Sequence, residues 1–135
     1  METIVCAVDD SLEAKEALRV AVRLSADAGL RLVVAHVENP PLLRAAARRT
    51  ANRRGGLLLD RLLDERGVDD VDKRVEVGDR ADELARVAEE EAASVIVVGS
   101  GHRRWWRTTR LSNLTADLAA TAACPVGVVP PPGRR

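Results

Sequence analysis

The sequence predicts an α/β domain: an open parallel sheet of five strands with helices on both faces, in a Rossmann-like, doubly wound arrangement. Two observations lead there. Short runs rich in β-branched residues alternate along the chain with helix-length amphipathic segments. The best of these runs, such as Val95–Val98, are apolar throughout rather than alternating, which marks strands buried on both faces.

Ile4–Val8 is the first buried strand, and Asp9-Asp10-Ser11 ends it. Ser11 is a good N-cap for an amphipathic helix from Leu12 to about Asp27, with Gly29 as its stop. Leu32–Val37 forms a second buried strand, broken by Asn39-Pro40-Pro41. A helical stretch from Leu42 to Glu65 follows, and Gly55-Gly56 is expected to interrupt or kink it. Val71–Val77 alternates apolar and charged residues, as suits a strand near a sheet edge. Gly78-Asp79 turns the chain into a helix from about Ala81 to Ala92. Beyond Val95–Val98 comes a basic loop, a helix from Asn113 to Ala123, and a last strand, Val126–Val129.

A chain of 135 residues fits one domain with one sizeable core, here residues 1–130, leaving 131–135 as a short tail. The 21 basic and 21 acidic residues balance, so no overall field favours nucleic acid or an anionic membrane. With no Phe or Tyr and 2 Trp, the core must be built from Ala, Val and Leu. Cys6 and Cys124 fall in or beside buried strands and read as small packing residues, not as a disulfide or metal pair. The start runs directly into a strand, and no apolar run is long enough to span a bilayer, so the expectation is a cytoplasmic protein without membrane insertion.

Open α/β sheets bind phosphates and nucleotides at the carboxyl ends of their strands, which directs attention to the strand ends. Asp9 stands at such an end, placed to hydrogen-bond a ribose or simply to support a helix cap. Asp10 and Ser11 fit the cap better. The same acidic tripeptide resembles the magnesium pocket of two-component receiver domains. That chemistry needs an aspartate after the third strand and a lysine after the fifth. Here the third strand ends Glu76-Val77-Gly78, and the only lysines are Lys15 and Lys73, so the receiver reading fails.

Gly78-Asp79 reads equally as a tight turn or as a close approach to a ligand. His36, inside a strand, reads as a satisfied core histidine, whereas His102 in the loop is better placed for solvent or ligand. No metal-ligand spacing and no Ser–His pair is apparent. Arg103, Arg104, Arg107 and Arg110, with no acidic residue from Gly99 to Ala116, form a cationic patch suited to phosphate oxygens or to plain solvation. Trp105-Trp106 in the same loop requires a packing surface: its own domain, a second subunit, a nucleobase or another protein.

Asp9, His36-Val37, Gly78-Asp79, Val97-Val98-Gly99-Ser100 and Cys124-Pro125-Val126 together resemble the pattern of universal stress proteins from end to end. The resemblance implies five parallel strands, a homodimer commonly formed through the last strand (Val126, Val128 and Val129) and no established catalytic chemistry. One branch of that family binds ATP through Gly-x2-Gly-x9-Gly-(Ser/Thr). Carried onto this chain, that motif begins at Gly99, but its second glycine falls on His102, its third on Ser112 and its hydroxyl residue on Asn113. Forcing non-glycine residues into such positions costs on the order of 1–3 kcal/mol each, which weakens binding by roughly ten- to ten-thousand-fold for two sites.

Two functions follow as expectations. The first is a non-catalytic regulatory or binding module, homodimeric, with weakened or lost ATP binding. The second is a switch or slow ATPase holding ATP or AMP with magnesium. In that case the resemblance places Asp9 on the ribose, Val37 on the adenine and Gly78 on the base edge. Gly99, Gly101, His102, Arg103, Ser112, Asn113 and Thr115 would serve the phosphates.

Overall fold

A computed structural model of the protein describes residues 2–40, 44–100 and 113–130. Nine elements follow in order: β1 (Thr3–Ala7), α1 (Leu12–Ala28), β2 (Arg31–Glu38), α2 (Ala45–Glu65), β3 (Asp72–Val77), α3 (Arg80–Glu90), β4 (Ala93–Gly99), α4 (Asn113–Thr121) and β5 (Val126–Val129). The sheet order is β3-β2-β1-β4-β5. Every pairing is parallel. The expected α/β class and strand number therefore hold, and β3 does occupy an edge.

Side-chain alternation along the strands supplies two cores. Ile4, Cys6, Val8, Leu32 and Val34 point to one face, where Ala17 and Leu18 of α1 and Leu59, Leu62 and Leu63 of α2 cover them. Val5, Ala7, Val33, Ala35, Ile96 and Val98 point to the other, beneath Leu84 and Val87 of α3 and Leu118 of α4. Because β1 lies between both layers, each of its residues from Thr3 to Ala7 is buried. Burial pushes the Cys6 thiol up to about 12, so it is an inert packing group.

The expectation of a break at Gly55-Gly56 is corrected. The helix α2 runs without interruption from Ala45 to Glu65. Gly55 faces the sheet, and a Cβ there would lie 2.6 Å from Val75 Cγ1 and 3.1 Å from His36 Cδ2. Close approach of helix to sheet thus outweighs the roughly 1 kcal/mol that a glycine costs a helix interior. The predicted start at Leu42 falls outside the described residues.

The β3 edge is held by an ion-pair network centred on Arg74. Its Nε donates to Glu76 at 2.9 Å, Nη1 to Glu91 at 2.8 Å and Nη2 to Glu90 at 2.8 Å. Arg86 reaches Glu76 and Glu90, and Arg31 reaches Glu91 and Asp72. The hydrogen bond from Arg74, above all, holds the Glu90 and Glu91 carboxyls below their ordinary value of 4.5. Depressed folded-state values mean that this stabilisation is present above pH 4.5 and is lost as pH falls through them. Melting temperature should therefore drop on acidification below that point, and Arg74→Met should show a shallower acid-side dependence when thermal melts are recorded against pH.

Candidate functional site

Strands β1 and β4 are neighbours, yet the chain leaves them towards opposite sides, so their carboxyl tips part at the switch point of the sheet. A cleft of about 590 Å³ opens there. Its walls come from the tip of β1 (Ala7, Val8 and Asp9), the start of α1, the tip of β2 (Ala35–Val37 and Asn39), the start of α3 (Asp79 to Ala81, with Leu84), Val98-Gly99 of β4, and Leu114 and Asp117 of α4. Its lining mixes apolar residues such as Val8, Val37 and Leu84 with polar ones such as Asp9, Asn39 and Asp117, the usual make-up of a small-molecule site.

The β1–α1 turn is fixed locally. Asp9 Oδ1 accepts from the Ser11 amide at 2.8 Å, and Ser11 Oγ accepts from the Ala14 amide at 3.1 Å, capping α1. Asp10 turns outward to Arg61 Nη2 at 2.8 Å. Of the acidic pair, Asp9 alone lines the cleft, and its Oδ2 makes no hydrogen bond among the described residues.

Gly78 is not among the lining residues, whereas Asp79 and Arg80 beside it are. Its amide donates to Glu38 O at 2.9 Å, its φ is +150°, and a Cβ would lie 3.1 Å from Glu83 Cγ. Asp79 Oδ2 caps α3 through the Asp82 amide at 3.0 Å. Gly99 lines the cleft, but a Cβ there would stand 2.6 Å from the Glu13 carbonyl carbon and oxygen. Its lack of a side chain is thus already required by the packing of β4 on α1.

His36 is buried and satisfied, as expected. Nδ1 lies 2.7 Å from Val8 O and Nε2 lies 2.6 Å from Glu38 Oε2.

Val37 lines the cleft, and Thr115 on α4 does not, although Leu114 and Asp117 flanking it do. Asn113 opens α4. Gly101, His102, Arg103 and Ser112, with the remaining loop arginines and Trp105-Trp106, lie outside the described residues. At β5, Val129 is buried within its own protomer, whereas Val128 is 46% exposed beside an edge that pairs with β4 on one side.

Sequence reasoning missed Asn39, Arg80 and Asp117. Asn39 stands just past a strand tip and Arg80 opens a helix, so the switch-point rule applied to every strand would have found both. Asp117 is visible only once α4 is docked. Arg80 is the sole lysine or arginine of the described lining, facing Asp9, Glu13, Asp79 and Asp117 as acids. Among the described residues no cluster of His, Cys, Asp or Glu is placed to hold a metal ion. No described helix is long and apolar enough to cross a membrane.

An open parallel sheet with a cleft at the reversal of strand order defines the doubly wound, Rossmann-like class of α/β folds. A family model described as the universal stress protein family matches residues 1–130, and the chain belongs to that family. Among solved structures, it is similar to a protein of this family from Burkholderia pseudomallei, at 32% identity and TM-score 0.70 over 96% of each chain. A universal stress protein in complex with cAMP superposes with TM-score 0.73 at 23% identity, covering 95% of this chain and 96% of the other. The universal stress protein from Archaeoglobus fulgidus in complex with dAMP gives 0.69 at 20% identity, covering 95% and 97%. None of the curated proteins matches the sequence significantly.

Proposed function

We propose that this protein is a non-catalytic adenine-nucleotide-binding module whose affinity for ATP is weakened relative to motif-bearing relatives. The observation that carries the reading is the strand-tip cleft, lined by Asp9, whose Oδ2 makes no hydrogen bond among the described residues, together with Val37 and Asn39. Two similar folds are described in complex with cAMP and dAMP, both monophosphates. Asp9 would hold the ribose hydroxyls and the tip of β2 the base. Weakened triphosphate binding follows from His102 and Ser112 standing at the motif's second and third glycine positions. The one surviving glycine, Gly99, is explained by its contact with Glu13 and so adds little to the case for a triphosphate site.

Calorimetric titration tests this. AMP should give saturable heat, magnesium-ATP should bind no more tightly, and no phosphate should be released. Removing a hydrogen bond from a charged acceptor costs about 1.5–3 kcal/mol, so Asp9→Ala should weaken AMP by about ten- to a hundred-fold. Absence of heat with either nucleotide at millimolar concentration rejects the proposal.

The protein would act as a homodimer through β5. Its free edge offers unpaired backbone groups beside the exposed Val128. Light scattering should return twice the 14.6 kDa protomer mass, and Val128→Asp should return the protomer. A wild-type monomer at micromolar concentration contradicts the dimer.

A further inference from the structure

The balanced total charge of the chain hides a separation along it. From Asn39 to Leu59 there is no acidic residue, and five arginines, Arg44, Arg48, Arg49, Arg53 and Arg54, fall within that stretch. All five are exposed. Arg54 lies 3.4 Å from Glu38, and the other four make no ion pair among the described residues. Elsewhere in the fold arginines are engaged: Arg31, Arg61, Arg74 and Arg86 each hold a carboxylate at 2.8 Å or less.

These arginines stand where α2 outruns the sheet. Gly55 packs against His36, two residues short of the end of β2. One turn earlier, Ala51 is the first buried residue of the helix. The turns before it therefore extend past the carboxyl edge of the strands, and apart from the arginines they carry only small side chains, Ala45, Ala46, Ala47 and Thr50. The start of this helix also breaks rules that α1 and α3 keep. Ser11 caps α1 with Glu13 in its first turn, and Asp79 caps α3 with Asp82 and Glu83 in its first turn. Arg44 at the start of α2 makes no side-chain cap, and the first turn there holds no acid. Cations at a helix N-terminus oppose its dipole, so this choice costs stability and concentrates positive potential at one end. A local rule broken without a compensating contact is expected where a segment is kept for function.

We propose that the amino-terminal half of α2 is an arm that binds the phosphate backbone of duplex DNA without sequence preference. An exposed helix enters the B-form major groove, about 12 Å wide, and small side chains between the arginines let its backbone approach closely. Arg44 with Arg48, and Arg49 with Arg53, are i,i+4 pairs on two different sides of the helix, so guanidinium groups reach phosphates on both walls of the groove. An anionic membrane surface is the poorer match. An interfacial helix needs a broad apolar face opposite its cations, and Leu57 is the one large exposed apolar side chain of α2 among the described residues. None of these arginines is among the described lining of the strand-tip cleft, so the arm is independent of the nucleotide reading.

Fluorescence anisotropy of a short labelled DNA duplex of arbitrary sequence, titrated with the full chain, tests the arm. Four phosphate contacts predict that log affinity falls against log salt with a slope of about −3.5, a loss of about a hundred-fold from roughly 50 to 200 mM salt. The triple variant Arg48→Ala, Arg49→Ala and Arg53→Ala should flatten that slope to about −1. Its melting temperature should not fall, because the positions are exposed and alanine is the strongest helix former. The matching triple Arg48→Lys, Arg49→Lys and Arg53→Lys keeps the charges and should keep the steep slope. An unchanged slope in the alanine triple overturns the proposal, as does a flattened slope in the lysine triple. Absence of duplex binding at low salt also overturns it. If phosphatidylglycerol vesicles then bind in a manner that needs the same arginines, the surface is a membrane contact instead.

Discussion

Replacing Gly99 by alanine is expected to destabilise the protein by about 3 kcal/mol, lowering the melting temperature by roughly 10 °C. The added carbon would sit 2.6 Å from the Glu13 carbonyl carbon and oxygen and 2.8 Å from its Cβ. Backbone cannot swing aside as a flexible side chain can, so β4 and α1 must separate. That separation also opens the cleft wall, because Gly99 and Glu13 both line it. Circular dichroism melts without any ligand measure the effect. An unchanged melting temperature would show that the glycine is held for a ligand and not for the fold.

Leu84→Ala is the second large effect, a loss of about 2–5 kcal/mol. Leu84 is 2% exposed, and it packs in the core beneath α3 while also facing the cleft. Truncation leaves a void continuous with the site, so solvent can enter beside the core. Urea unfolding should show a lower midpoint with an unchanged slope, and adenine nucleotide affinity should fall with it. A stability loss well under 1 kcal/mol would mean that α3 repacks, and that the apolar floor is not rigid.

Much of this architecture is legible in the chain itself, because local rules govern it. Val95–Val98 reads as a buried strand and Val126–Val129 as the last strand, and both are strands of the sheet, the second at its edge. Ser11 reads as a cap and is one. Legibility fails where a residue's role depends on a distant neighbour. Gly55 looks like a helix breaker until Val75 and His36 stand beneath it. Arg74 looks like one charge in an alternating strand, yet it binds Glu90 and Glu91 on the α3 side. Gly99 looks like the start of a phosphate motif, and its contact with Glu13 cannot be read from spacing.

The candidate site divides in the same way. Asp9 is legible from its strand end, Val37 and Gly99 from the family resemblance, and all three converge on one cleft. Asn39 and Arg80 follow from the same strand-end rule applied to β2 and β3, whereas Asp117 joins them only once α4 is docked. His36 reads correctly as a satisfied core histidine. The identity of its cross-strand partner, the Val8 carbonyl, needs β1 and β2 side by side.

Amide chemical-shift mapping with AMP tests the nucleotide cleft most directly. Shifts concentrated at Ala7–Ser11, Ala35–Asn39 and Val98-Gly99 are the predicted result. Shifts confined to the opposite end of the sheet, around Gly29–Leu32 and Asp69–Asp72, or no shifts at saturating nucleotide, would contradict it.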